Sequence, residues 1–227
     1  EARDDDGSTA FHYAASNPET EIIKFFIEND ANLKARDIRS NDALTYAVAQ
    51  NPNLEVIDIL LDLDVEYDLN RALSGAVILH EDTARFEKLL DYGVDITKKI
   101  NRSMTITSLA VGQDNPEFLK LLIEEGADLT VKTIRGDTLL MLASKNSGNP
   151  EILEILKEHG AEVNAQNIHD KTALIFAAEF NDTPEIIDTL LDFRVDPDIE
   201  DRDGMKAKDY AEENPDIVET EVYETNI

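Results

Sequence analysis

The sequence predicts an all-α fold, a solenoid of helix–turn–helix units with six full copies and a partial C-terminal cap. Three observations lead there. First, Gly136–Gln166 reads as one such unit. Leu139, Leu140 and Ala143 share a helix face, Asn149 and Pro150 open a second helix, and Gly160 ends it. Second, the closing dipeptide recurs: Gly160-Ala161 follows Gly126-Ala127 by 34 residues, and Arg194-Val195 follows by 34 again, with earlier copies at Asp30-Ala31, Asp64-Val65 and Gly93-Val94. Third, six of the seven prolines fall in one helix-start slot: Asn17-Pro18, Asn51-Pro52, Asn115-Pro116, Asn149-Pro150, Thr183-Pro184 and Asn214-Pro215. A proline at the first helical position loses no hydrogen bond, because that N–H has no partner within the helix. Two short helices cannot cover their own apolar faces, so such a unit needs neighbours.

The copies run in order at about 2–34, 35–66, 67–96, 97–129, 130–163, 164–197 and 198–218, with 219–227 as an acidic tail, all in one domain spanning 1–227. In the first, Gly7–Ala15 and Glu21–Ile27 are the two helices. The second pairs Asp42–Ala47 with Val56–Leu61. The third is the most degenerate; Ala72-Leu73-Ser74-Gly75-Ala76 is its best match, and its period of 29 requires a shorter finger or turn. The fourth has Thr105–Ala110, then Phe118–Ile123. The fifth and sixth are regular, and the seventh has Gly204–Ala211 and a start at Pro215. The first helix of each unit is short and alanine-rich, which allows close approach. The second carries Ile, Leu and Phe flanked by acids. Unequal packing of the two is expected to bend the stack, with a concave face lined by first helices and connecting fingers.

The residues at the unit starts resemble the ankyrin repeat, whose signature is Thr-Pro-Leu-His-x-Ala with a period near 33. Thr9, Phe11, His12 and Ala14 match it, with Ala10 in the proline place. Thr172-Ala173-Leu174-Ile175-Phe176-Ala177 matches again, with Ile175 in the histidine place. Gly126-Ala127-Asp128-Leu129 and Gly160-Ala161-Glu162-Val163-Asn164 resemble the family's closing Gly-Ala-Asp-Val-Asn. The resemblance covers nearly the whole chain. It implies a binding scaffold for another protein, and for His12 a hydrogen bond between neighbouring loops.

Composition narrows the chemistry. With 49 acidic and 21 basic residues the formal charge is −28, which disfavours nucleic acid and anionic membrane and favours a basic protein partner. There is no apolar run near the length of a membrane span and no signal-peptide pattern. A cytoplasmic monomer is expected. Ala2-Arg3-Asp4 repeats as Ala35-Arg36-Asp37, which suggests that the chain begins inside a repeat connection. Cysteine is absent, so there are no thiolate metal sites. The histidines His12, His80, His159 and His169 show no metal-ligand spacing, and Asp4-Asp5-Asp6-Gly7 lacks the ligand spacing of a calcium loop. No catalytic site, metal or cofactor is expected; the one opening for catalysis is His80-Glu81-Asp82 in the degenerate copy.

Two rows are candidates for recognition. One precedes the first-helix alanine: Tyr13, Tyr46, Gly75, Leu109, Leu142, Phe176 and Tyr210, four of them aromatic in a chain with 6% aromatics. Such side chains on a concave surface are natural anchors, though the slot would also select bulk for packing on the next unit. The other row lies at the finger tips: Ile38 and Arg39, Ile134 and Arg135, Ile168 and His169. An isoleucine there either tucks beside a neighbouring finger or meets a partner. The expected function is a protein-binding scaffold for a basic partner. The alternatives are a regulatory or targeting module of a longer protein, or an acidic mimic that occupies a nucleic-acid-binding protein.

Overall fold

The computed structural model describes residues 2–79, 83–101 and 103–218. The tail 219–227 and the His80-Glu81-Asp82 cluster therefore lie outside the described residues. Fourteen α-helices and no strand are present among the described residues. They alternate as inner and outer helices. The inner ones are α1 (Ala10–Ala15), α3 (Ala43–Gln50), α5 (Leu69–Leu79), α7 (Ile106–Ala110), α9 (Leu139–Asn146), α11 (Ala173–Phe180) and α13 (Ala207–Glu213). The outer ones are α2 (Thr20–Glu28), α4 (Glu55–Leu61), α6 (Ala84–Asp91), α8 (Pro116–Glu124), α10 (Pro150–Glu158), α12 (Pro184–Asp192) and α14 (Pro215–Val218).

The chain divides into two compact units, Glu1–Asp95 and Ile96–Ile227. In the first, α1, α3 and α5 pack side by side, and α2 packs on α4. Phe11, Ile23, Leu44, Leu60, Leu73 and Phe86 are sealed between the layers. In the second, α7, α9, α11 and α13 form the inner row, and α8, α10 and α12 the outer one. Its core includes Phe118, Leu119, Leu140, Leu153, Leu174 and Ile186.

Inner helices start on a side chain that caps a free backbone donor. Asp42 accepts from Thr45 N, Thr105 from Ser108 N, and Thr172 from Ile175 N. Outer helices end in the left-handed region at Gly93, Gly126 and Gly160, with Asp30 and Arg194 taking it at φ 56° and 60°.

The proline slot needs correction. Pro116, Pro150 and Pro184 do open their helices, but α2 begins at Thr20 and α4 at Glu55, beyond Pro18 and Pro52. There are two slots, two residues apart. In the later one Asn53, Asn115 and Asn149 accept from the backbone N–H two residues on, capping the outer helix. In the earlier one the side chain ties its repeat to the one before. Asn51 Nδ2 donates to Ala15 O and Asn17 O, Asn181 Nδ2 to Ser144 O and Ser147 O, and Asn214 Nδ2 to Ala178 O and Asn181 O. Arg85 and Ser147 reach the carbonyls of Asn51 and Gln113 from the same slot. These carbonyls lie at inner-helix ends, which have no acceptor role left within the helix. Pro18, Pro52 and Pro215 follow this tie residue.

The short period of the third copy is a lost finger. Between α4 and α5 only Asp62–Asp68 intervene, whereas Asn29–Asp42 separate α2 from α3. Ala72, Leu73, Ala76 and Val77 take the buried places of Ala43, Leu44, Ala47 and Val48, so α5 begins three residues early and consumes the finger as helix.

Candidate functional site

His12 is fully buried and does what the resemblance implies. Its Nδ1 accepts from Thr9 N at 3.1 Å, so Nε2 carries the proton and donates to Asn41 O of the next finger at 3.2 Å. The finger turns repeat one device. Asp4 Oδ1 accepts from the N–H of Asp6 and Ser8, Asp37 Oδ1 from Arg39 and Asn41, and Asp201 Oδ1 from Asp203 and Met205. Asp4 thus serves as the pivot of a turn. Among the described residues no three His, Cys, Asp or Glu side chains converge to hold a metal.

The second oxygen of each finger aspartate meets a tyrosine nine residues on. Tyr13 OH donates to Asp4 Oδ2, Tyr46 OH to Asp37 Oδ2 at 3.1 Å, and Tyr210 OH to Asp201 Oδ2 at 2.6 Å. The electrostatics follow. Burial pushes the Asp37 and Asp201 carboxyls up, but hydrogen bonds from backbone N–H groups and the phenols hold both below the ordinary range. Burial and the adjacent carboxylate raise the Tyr46 and Tyr210 hydroxyls. Three tyrosines of the first candidate row therefore brace fingers. Where the finger residue is Thr133 or Asn167, the residue nine on is Leu142 or Phe176, which has no hydroxyl to place.

The rest of that row divides. Phe176 is 7% exposed, so it is a packing residue and not a free anchor. Leu109 and Leu142 are half-buried. In the tip row Ile38, Ile134 and Ile168 are 69%, 73% and 49% exposed. Ile38 and Ile168 also secure neighbouring fingers: their N–H groups donate to Asp6 O and Arg135 O. A Cβ on Gly7 or Gly136 would stand 3.1 or 3.5 Å from Cγ2 of Ile38 or Ile168, so each isoleucine methyl lies over the previous finger. Arg39, Arg135 and His169 are exposed.

One cluster escapes a reading of the sequence alone. In the second unit Phe180, at the end of α11, is 47% exposed. Lys145 Nζ of α9 lies 4.0 Å from its ring centroid and 5.9 Å from that of Phe176. Lys171 Nζ is 5.9 Å from the Phe180 ring centroid and 4.3 Å from that of Tyr210, and is paired with Glu179. Desolvation pushes the Lys171 ammonium down, but Glu179 and Tyr210 together more than offset it and the net shift is upward.

The charge is partitioned between layers. The inner helices α1, α3, α5, α7, α9 and α11 contain one acidic residue, Glu179, whereas each outer helix from α2 to α12 carries two or three. This agrees with the sequence, in which the second helix of each unit carries its large apolar residues flanked by acids: an inner helix gives its surface to alanine packing and uncharged side chains, and acid sits where the outer helix faces water. A cleft of about 270 Å³ opens elsewhere in the second unit, floored by Leu139, Leu140 and Leu156 with His159 at its edge; His159 Nδ1 is 2.8 Å from Ile155 O of its own helix.

A family model of ankyrin repeats in three copies matches residues 1–71 and 73–167, well over half of the chain. The chain belongs to the ankyrin-repeat family. The fold agrees: it is similar to the human ASB11 ankyrin repeat domain, with TM-score 0.78, 20% identity and 96% of each chain covered. The ankyrin repeat protein FPV034 of Fowlpox virus (strain NVSL) is 27% identical over 120 residues, 52% of this chain. The chain spans only 28% of that protein's length. A model of the insulinase peptidases, family M16, also matches residues 137–226, less than half of the chain, and the described residues of that range cover the helix pairs α9 to α14. Ankyrin repeats in general mediate protein–protein interaction and are not catalysts.

Proposed function

We propose that this ankyrin-repeat chain recognises a protein through the face made by its inner helices and finger tips. The observation that carries this is the partition of charge: in a molecule of formal charge −28, the six inner helices from α1 to α11 carry one acidic residue, whereas each outer helix from α2 to α12 carries two or three. Seven of the nine large apolar side chains exposed among the described residues lie on inner helices or finger tips: Tyr13, Ile38, Ile78 and Leu79 in the first unit, and Ile134, Ile168 and Phe180 in the second. Anchors with apolar bodies and few competing charges suit a docking surface. The outer acid acts at a distance, drawing in a partner that is basic overall and raising its association rate.

The test is a comparison of two variants in quantitative affinity capture. Ile134→Asp with Ile168→Asp marks the inner face, and Glu154→Lys with Asp188→Lys marks the outer one. Partners are expected to be lost from the first variant and kept by the second. Raising salt from about 50 to 500 mM is expected to slow association much more than it speeds dissociation. Partners that survive the inner-face change and vanish with the outer-face change would overturn the proposal.

A further inference from the structure

The Lys145–Phe180 cluster narrows what the second unit accepts. Several basic side chains of this acidic chain have an acidic partner, among them Lys24, Lys88, Lys120, Lys171 and Lys206. Lys145 does not: among the described residues no carboxylate lies within the ion-pair distance of 4.0 Å, and its ammonium sits on the Phe180 ring instead. A ring face attracts a cation but leaves its charge uncompensated. Lys145 is half-buried, so that charge is screened less than a fully exposed one. The one acid on the neighbouring helix, Glu179, is already engaged with Lys171. Phe180 thus has two ammonium groups near its ring, one neutralised and one not, with nearly half of its surface open.

We infer that the inner face of the second unit binds a peptide segment carrying a carboxylate next to an apolar side chain, the carboxylate on Lys145 and the apolar group on Phe180 beside Leu142. This rests on the reading that the inner helices are the docking face. It also separates two electrostatic roles. The field of the outer helices selects the charge of the partner's body, whereas Lys145 selects the charge of the residue that touches the groove. The aromatic ring fixes the ammonium in place, so less side-chain freedom is lost when the carboxylate arrives. A carboxylate docking here meets no acid on α7 or α9.

The probe is a displayed library of random 12-residue peptides, panned separately on the wild-type chain, Lys145→Glu, Phe180→Ala, and the outer-face variant Glu154→Lys with Asp188→Lys. All four proteins are first checked for unchanged helicity and melting. Wild type and the outer-face variant are expected to enrich Asp or Glu adjacent to Leu, Ile or Phe. Synthetic copies of these peptides should bind Lys145→Glu and Phe180→Ala at least five- to tenfold more weakly, and Lys145→Glu should itself enrich Lys or Arg at that place. Enrichment of basic or uncharged peptides that lose affinity with Ile134→Asp and Ile168→Asp, but not with Lys145→Glu, would overturn this inference while sparing the inner-face proposal. Peptides lost only from the outer-face variant would overturn both. Failure to enrich any peptide on the wild type also counts against the inference.

Discussion

The two units use one template to opposite ends at the same place in the repeat. In the first unit both fingers are braced, Asp4 by Tyr13 and Asp37 by Tyr46, and a buried His12 ties the first finger to the second. In the second unit only the last finger has the brace, Asp201 with Tyr210. There the matching places hold Leu142 and Phe176, and Phe176, freed from bracing, lies beside Lys145 and Phe180. A slot whose backbone position is fixed by the repeat can therefore hold a finger still or furnish a surface. The choice is made by a pair of residues nine apart.

The largest expected effect tests what the units share. Asn51→Ala and Asn181→Ala each strand two carbonyl groups at inner-helix ends, and both ties are buried in part or whole. Each is expected to cost about 2–3 kcal/mol in urea unfolding. Ser147→Ala should cost clearly less, because the one hydroxyl proton is shared between Gln113 O and Asp114 Oδ1 at 3.3 Å each, and the bond accepted from Asn149 N is at the partly open helix start. Equal and negligible losses at all three would remove the tie from the account.

The brace comes next. Tyr46→Phe deletes the phenol bond to the partly shielded Asp37 carboxylate and the 2.7 Å bond between the phenol and Ser8 Oγ, so about 1–2 kcal/mol is expected. The converse experiment moves the brace into the second unit. Asn167→Asp with Phe176→Tyr should be more stable than the sum of the single changes by about 0.5–1 kcal/mol, measured as a double-mutant cycle. Additive singles would mean that the spacing of nine does not create the pair.

The same pair predicts a pH response. The folded Asp37 carboxyl is held below its ordinary value, so its contribution is complete above about pH 4 and is lost as pH falls through the lower folded value. The folded Tyr46 hydroxyl is raised, so its contribution is complete below about pH 10 and is lost as pH climbs through the higher folded value. Stability profiles of wild type and Tyr46→Phe should therefore diverge least at extreme acid and alkali and most between them. Parallel profiles across the whole range would contradict the brace.

The smallest effect is expected at Tyr67, where the lost finger leaves a buried hydroxyl with no hydrogen-bond partner among the described residues. Burial first, then the nearby Asp42 charge, pushes its ionisation upward. Tyr67→Phe removes an unmet polar group, so it should be neutral or stabilising by up to about 1 kcal/mol in thermal unfolding. A marked loss of stability would show that the hydroxyl is satisfied.

Much of this was legible in the sequence. The 34-residue spacing, the capping residues and the glycines at outer-helix ends act locally, so helices, turns and repeat count follow from residues close in the chain. Register was the weak point. Asn17-Pro18 and Asn115-Pro116 look alike, yet one Asn precedes the tie slot's turn and the other caps a helix; only the identity of the acceptor carbonyl, one repeat away, separates them. The Asp–Tyr spacing of nine was visible at three places and is decisive once the two oxygens of the aspartate are given separate tasks. Lys145 and Phe180 are 35 residues apart and occupy different places in their repeats, so nothing periodic joins them. Their contact depends on how α9 lies against α11.

The most direct measurement is a map of amide chemical-shift changes on titrating the chain with a peptide taken from the display selection. Shifts are expected on the inner side of the second unit, around Leu142, Lys145, Lys171, Phe180 and Tyr210, and at the tips carrying Ile134 and Ile168. Shifts confined to α8, α10 and α12, with those residues unmoved, would contradict a docking face made of inner helices.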